Sequence, residues 1–187
     1  MKTIERVYTY KDLIEGKLPE GLYEIVNGEV VEMAPIGDVH GSYEADFSYY
    51  LKSKLRKKGY VLVGEVGIVL KKEPLTLRGL DVVYISKEKL PKLKGKALEV
   101  PPDLVIEILS PSNTYTEMEE KVQELLDFGV ERILLVDPRL RKAFLHKKGI
   151  VEVYSFDEEF ELLPELKIKL SEAVSYTHLT LPTKRIV

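Results

Sequence analysis

Residues 101–112 read PPDLVIEILSPS, and no other segment says as much about the architecture of the chain. The apolar side chains of residues 104–109 fall on both faces of an extended backbone, which is typical of a strand inside a sheet. Of the two carboxylates here, Asp103 immediately precedes this run and Glu107 interrupts it. Because a lone buried carboxylate is costly, each needs a cation, hydrogen-bond donors or a strand end that faces a cleft. The two share one face but their Cα atoms lie about 13 Å apart, so we expect Asp103 to serve hydrogen bonding at the strand start and not to share an ion with Glu107.

A second apolar strand, residues 79–85, is interrupted by Asp81. Neighbouring strands lie only about 4.8 Å apart, so Asp81 and Glu107 can meet if these two strands pair in a suitable register. Two adjacent carboxylates would suit Mg²⁺, which keeps several waters and takes phosphate oxygens as further ligands. Spacing alone leaves a second interpretation equally open, in which Asp81 and Glu107 are salt-bridged core residues.

Turn and helix signals divide the rest of the chain. Asn27-Gly28 supplies the two positive-φ positions of a type I′ turn and predicts a β-hairpin of residues 22–26 and 29–33. Thr114 and Glu117 form a capping box that predicts a helix ending at Gly129. The other predicted elements are a helix at 42–58 with Ser42 as N-cap and Gly59 as stop, one bent strand or two at 60–70, a loop at 86–102, and strands at 133–136, 143–146 and 151–154. This order predicts an α/β fold, a mixed β-sheet flanked by helices with an N-terminal β-hairpin.

Composition limits the classes of function. The 187 residues carry 28 basic and 31 acidic side chains, a net charge of −3, so any phosphate-binding surface must be local. The absence of cysteine excludes thiolate catalysis and cysteine-ligated metals. No apolar run approaches a membrane span or a signal peptide, so we expect a cytoplasmic protein with no membrane partner. We expect residues 1–175 to form a single domain and the tail 176–187, which lacks acidic residues, to be non-native or disordered.

A set of segments in fixed order resembles a known family. They are residues 23–29 (YEIVNGE), His40, residues 80–83 (LDVV), residues 101–112, Lys121, Gly129-Val130 and residues 136–138 (VDP). Together they resemble the Uma2 family, also called DUF820, a restriction-endonuclease-like group within the PD-(D/E)xK nuclease superfamily. Residues 101–112 are the specific part of the match. The resemblance implies a restriction-endonuclease-like fold.

The resemblance also implies roles for single residues. Asp81 takes the place of the aspartate of the "PD" element, and Glu107 that of the acidic residue of the "(D/E)xK" element, so both are implied metal ligands and catalytic residues. Two positions depart from the pattern, because Leu80 replaces the proline and Leu109 replaces the lysine. The second departure removes the cation that normally stands beside the attacking water.

Lys121 is the implied replacement for that lysine, supplied from the helix that follows. Its alternative is an exposed ion pair with Glu117, four residues earlier, worth a few tenths of a kcal/mol. Glu24 corresponds to the family's N-terminal acidic residue and would complete the metal site or orient a water; its alternative is a solvated residue beside the hairpin turn. His40 would contact phosphate or carry a proton, or else be structural at the helix entry.

The function these residues predict is a Mg²⁺-dependent endonuclease that hydrolyses phosphodiester bonds of nucleic acid, with DNA as the expected substrate. Mn²⁺ is the alternative ion, and cleavage of two strands would favour a homodimer. Residues 139–148, which include Arg139, Arg141, Lys142, His146, Lys147 and Lys148, are the candidate backbone-contacting patch or else a solvated hairpin. The alternative function is a catalytically decayed nuclease-fold module that binds nucleic acid or a protein partner. A glycosidase has little support, because the chain has no Trp for sugar stacking.

Overall fold

The computed structural model describes residues 6–174, which form a mixed α/β fold as predicted. In chain order the elements are α1 (Tyr10–Ile14), β1 (Tyr23–Val26), β2 (Glu29–Glu32), α2 (Asp38–Leu55), β3 (Gly59–Val63), β4 (Ile68–Lys72), β5 (Leu75–Arg78), β6 (Val82–Ser86), β7 (Leu104–Ile108), α3 (Tyr115–Phe128), β8 (Ile133–Asp137), β9 (Lys142–Lys147), β10 (Ile150–Ser155), β11 (Glu159–Leu163), β12 (Leu166–Lys169) and α4 (Leu170–Ala173). Within the described residues no helix is long and apolar enough to cross a membrane.

A six-stranded sheet in the order β10-β9-β8-β7-β6-β3 is the centre of the fold. Its one parallel pair is β7 with β8, and α3 makes the crossover between them. Every residue of β7 and β8 is buried, as expected for strands with apolar side chains on both faces. The predicted capping box is present at the start of α3, and Gly129 ends the helix with a φ of 106°.

A helix covers each face of this sheet. On one face α2 packs Tyr43, Phe47 and Leu51 into a core that includes Leu104 and Ile106 of β7. On the other face α3 packs Met118, Val122 and Leu125 against apolar side chains that include Val83, Val105 and Ile133. Since side chains alternate along β6 and β7, both helices reach the same strands from opposite sides.

A smaller sheet in the order β2-β1-β5-β4 stands beside the central one. The predicted hairpin forms its first two strands, with φ values of 51° at Asn27 and 87° at Gly28, as a type I′ turn requires. Ile25, Val69 and Leu75 make its buried core. Because β5 leads directly into β6, this sheet holds β1 close to the start of β6.

The structure corrects some predicted boundaries. Helix α2 begins at Asp38 with Gly37 as N-cap, so Ser42 is not the cap and His40 lies inside the first turn. Residues 60–70 belong to two strands in different sheets, separated by Gly64 and Glu65 with φ values of 85° and 54°. Strand β5 was not predicted. The prediction for the tail 176–187 lies outside the described residues, and the single domain over 1–175 stays a prediction.

Candidate active site

Asp81 and Glu107 lie side by side. Val82 of β6 pairs with Ile106 of β7 in an antiparallel ladder, and one further step in this register places Asp81 opposite Glu107. The backbone N–H of Ile108 donates a hydrogen bond of 2.7 Å to Asp81 Oδ2. Both carboxylates are buried, with exposed fractions of 5% and 4%. The paired register that the sequence left open is therefore present.

Lys121 reaches these carboxylates from α3. Its Nζ donates hydrogen bonds of 2.7 Å to Glu107 Oε2 and to the carbonyl oxygen of Gly79, and it lies 3.3 Å from Glu24 Oε1. Glu117 instead accepts hydrogen bonds from Thr114 in the capping box. The Lys121 ammonium is therefore buried at the end of β7. The alternative interpretation, an exposed ion pair between Lys121 and Glu117, is wrong.

Glu24 is held on β1 by several donors. Arg78 Nη1 donates to its Oε2 at 2.7 Å, and the Gly79 N–H donates to its Oε1 at 3.0 Å. Arg78 also bonds Glu124 Oε2 through Nε at 2.7 Å. Burial raises the pKa of Glu24, but Lys121 and Arg78 outweigh it and hold that pKa below its usual value. Arg78 is not identified from the sequence, because β5 is not recognised there. The available clue is that an arginine follows the apolar residues of this strand, directly before Gly79-Leu80-Asp81.

The first turns of α2 add two residues that border Asp81. His40 Nε2 lies 3.1 Å from Asp81 Oδ2 and 3.5 Å from Glu44 Oε1, although neither contact has hydrogen-bond alignment. Within residues 6–174, these three side chains form a group that could hold a metal ion, with one ligand atom from each lying within 4.8 Å of the others. Glu44 was missed in the sequence, where its only signal is the i, i+4 spacing from His40.

Glu65 also belongs to this cluster. A Cβ atom at Gly79 would collide with the Glu65 carboxylate, so the glycine makes room for it. Its Oε2 is buried without a hydrogen-bond partner among the described residues. The site thus contains a carboxylate on a backbone with a positive φ, which ordinary side chains rarely adopt.

Burial and mutual repulsion act against the negative charges. Burial, with a further contribution from Asp81, raises the pKa of Glu107 to about 8 despite the ion pair with Lys121. Burial also raises the pKa values of Glu44 and Glu65, and Asp81 adds to both. The pKa of Lys121 is raised because Glu107 and Glu24 together outweigh its own burial.

The donor set fits a divalent cation. Five carboxylates, those of Glu24, Glu44, Glu65, Asp81 and Glu107, stand against the permanent charges of Lys121 and Arg78. Glu107 Oε1 and Glu44 Oε1 are buried without a hydrogen-bond partner in the described part of the chain. A divalent ion would supply both the missing positive charge and the missing partner.

The other predicted residues lie elsewhere. Asp103 accepts a hydrogen bond of 2.6 Å from the Ser86 N–H at the start of β7, as expected. In the basic segment 139–148, His146 is buried and Lys147 pairs with Glu152 at 2.6 Å. Most of this segment lies on β9, two strands from β7, so part of the predicted patch is already engaged and β8 separates it from Glu107.

Comparisons with known proteins identify the family of this chain. The family profile described as "Uma2: Putative restriction endonuclease" matches residues 8–176. The chain belongs to the Uma2 family. Membership in this family supports a nuclease. Among curated proteins, none matches this Uma2 chain.

A solved structure supports the fold of the Uma2 chain. It is described as a "putative nuclease belonging to DUF820 from Anabaena variabilis ATCC 29413", with 19% sequence identity and a TM-score of 0.75. The match covers 90% of this chain and 98% of that chain. At this identity the likeness establishes the shared nuclease-type fold, and the residues of the site are argued from their own geometry.

Proposed function

We propose that the protein is a Mg²⁺-dependent endonuclease that hydrolyses phosphodiester bonds, with DNA as its expected substrate. The observation that carries the proposal is the contact of Lys121 with Glu107 beside Asp81, at the meeting point of β6, β7 and α3. A pair of carboxylates next to a buried ammonium is suited to phosphoryl transfer, because the reaction develops negative charge on a phosphate. Family membership supports the same reaction class.

Asp81 and Glu107 are the residues that would hold the ion. Glu107 keeps one carboxylate oxygen without a hydrogen-bond partner among residues 6–174, which leaves it available as a ligand. A bound Mg²⁺ supplies an activated water and neutralises charge on the phosphate. Both side chains come from strand ends, so their positions are fixed by the sheet.

Lys121 orients the attacking water or stabilises charge on the phosphate. Leu109 stands where the superfamily pattern has its lysine, and its side chain packs among the apolar residues beside α3. Lys121 compensates for this departure because its Nζ reaches the same carboxylate from the helix. Glu24 is a positioning residue, since its two oxygens already contact Arg78, the Gly79 N–H and Lys121.

The test is cleavage of supercoiled DNA, linear DNA and single-stranded RNA with and without Mg²⁺. Asp81→Asn and Glu107→Gln should lower the rate by about 100-fold or more, equal to about 3 kcal/mol of transition-state stabilisation. Asp103→Asn is the matched control, because it changes a carboxylate on the same strand away from the site, and it should keep the wild-type rate. Equal cleavage by all four proteins contradicts the proposal.

A wild-type protein that binds nucleic acid but cleaves none of these substrates would instead support the catalytically decayed module.

Cleavage of both DNA strands in one binding event would require two sites, so we expect the active species on duplex DNA to be a homodimer. Sedimentation of the protein with and without duplex DNA tests this expectation.

A further inference from the structure

On the side of the site next to α2, His40 and Glu44 lie close to Asp81, and the proposed reaction assigns no role to either of them. His40 and Glu44 lie one helical turn apart on α2, so both side chains point to the same side of the helix. His40 Nε2 lies 3.1 Å from Asp81 Oδ2 and 3.5 Å from Glu44 Oε1. Ligands at about 2.1 Å from an octahedral ion lie about 3 Å from one another, so these atoms already have nearly the required spacing.

Two of these atoms, His40 Nε2 and Glu44 Oε1, make no aligned hydrogen bond among residues 6–174, while Asp81 Oδ2 accepts one from the Ile108 N–H. Glu44 is 8% exposed, and its Oε1 accepts no hydrogen bond from any residue in the range 6–174. Neither ring nitrogen of His40 makes an aligned hydrogen bond within that range. An unsatisfied buried polar group destabilises the fold, and such groups call for an explanation, of which a bound ion is one.

Among residues 6–174, no lysine or arginine makes an ion pair with Glu44 or Asp81. Lys121 makes its ion pairs with Glu24 and Glu107, and Arg78 makes its pairs with Glu24 and Glu124. Among residues 6–174, the sole ion-pair partner of Glu44 and of Asp81 is His40. Two buried carboxylates thus share one imidazole.

We propose that His40, Glu44 and Asp81 bind a divalent transition metal ion of the Mn²⁺ class, at a position distinct from that between Asp81 and Glu107. This rests on the proposed function only in sharing Asp81 with its site. One imidazole nitrogen with two carboxylates is a ligand set for first-row transition metals, whereas Mg²⁺ prefers oxygen ligands and water. With Asp81 as the shared ligand, the two positions have the arrangement of a two-metal phosphodiesterase site.

The decisive probe is Mn²⁺ itself, titrated into the full chain and followed by electron paramagnetic resonance. Spin-echo modulation detects nitrogen bonded directly to Mn²⁺. We expect this nitrogen signal in wild type, its loss in His40→Gln, and its retention in His146→Gln, which removes a buried histidine on β9, three strands from β6. Thermal unfolding of each variant verifies that it is folded.

Affinities give the second readout. His40→Gln and Glu44→Gln should weaken Mn²⁺ binding by about 10- to 100-fold or more, while His40→Gln changes Mg²⁺ binding much less. Glu107→Gln should keep the nitrogen signal, although it removes the cleavage predicted above. Mn²⁺ that binds without nitrogen coupling, or equally well to folded His40→Gln, overturns this inference and leaves the proposed nuclease standing. Retained nitrogen coupling in a protein that never cleaves would overturn the nuclease and leave the metal position standing.

Discussion

The two carboxylates of β7 have opposite environments. Asp103, at the start of the strand, accepts a hydrogen bond from Ser86 and lies 3.1 Å from Lys89, which also pairs with Glu131. Its side chain is 19% exposed, so solvent can reach this carboxylate and screen its charge. The side chain of Glu107, four residues later, is only 5% exposed, with one oxygen bonded to Lys121 and the other without a hydrogen-bond partner in the described chain.

This difference separates a structural charge from a functional one. The surroundings of Asp103 satisfy its charge, whereas those of Glu107 combine burial with other carboxylates and raise its pKa to about 8. A buried group that is incompletely paired costs stability, and such groups concentrate where chemistry or ion binding requires them. Variants at the two ends of β7 can therefore test this distinction directly.

The largest loss of stability should come from removing Lys121, the lysine that pairs with Glu107. Lys89, which pairs with Asp103 at the other end of β7, gives the comparison. Lys121→Ala leaves Glu107 and Glu24 buried without their ammonium, which should lower the free energy of unfolding by about 3–5 kcal/mol at pH 8. Lys89→Ala removes a partly exposed cation and should cost at most about 1 kcal/mol. Urea unfolding in EDTA measures both. Similar losses in the two variants would mean that the cluster around Glu107 is solvated in the same way as that around Asp103.

The pH dependence of stability should differ next. The pKa of Glu107 is about 8 in the folded state against an ordinary value of 4.5, so the folded protein binds more protons between these limits. Its contribution is therefore greatest at low pH and is lost as the pH rises through 8. The stability of wild type relative to Glu107→Gln should fall by about 1–3 kcal/mol between pH 6 and pH 8.5 in EDTA.

Taking the difference between wild type and variant cancels the titration of the other groups. Asp103→Asn is the control, and its difference from wild type should stay nearly flat over the same range. A flat difference for Glu107→Gln would show that Lys121 keeps this carboxylate ionised throughout.

Much of the fold was predictable because local and tertiary preferences agree. The apolar residues of β7 and β8, the turn at Asn27-Gly28 and the capping box at Thr114 each have a single reasonable interpretation. Strand β5 was missed because it is four residues long and follows Lys71, Lys72, Glu73 and Pro74, which look like a loop. The start of α2 was misplaced because its N-cap, Gly37, makes no side-chain hydrogen bond, whereas Ser42 has the chemistry of a good cap.

The site was predictable only where strand register or family resemblance pointed to it. Asp81 and Glu107 interrupt apolar strands, and such an interruption is visible in a sequence. His40 and Glu44 have a spacing common on exposed helices, and only the packing of α2 against β6 brings them to Asp81. The burial of Lys121 likewise depends on tertiary contacts, since an exposed pair with Glu117 satisfies the same spacing.

The smallest predicted effect is a change in stability that has opposite signs in Glu44→Gln and Asp103→Asn. Burial and the nearby Asp81 raise the pKa of Glu44, so its charge opposes folding, and Glu44→Gln should raise the stability of the metal-free protein by less than about 1 kcal/mol at pH 8. Asp103→Asn should instead lower it by about 0.5–1 kcal/mol, because the amide oxygen can keep the Ser86 bond but loses the attraction of Lys89. Urea midpoints in EDTA measure both changes. With added Mn²⁺, wild type should instead become more stable than Glu44→Gln. An ion at 100 times its Kd stabilises the wild-type fold by about 2.7 kcal/mol, and the variant binds the ion more weakly. A loss of stability in Glu44→Gln without metal would place Glu44 with Asp103, as a carboxylate that the fold needs for its own sake.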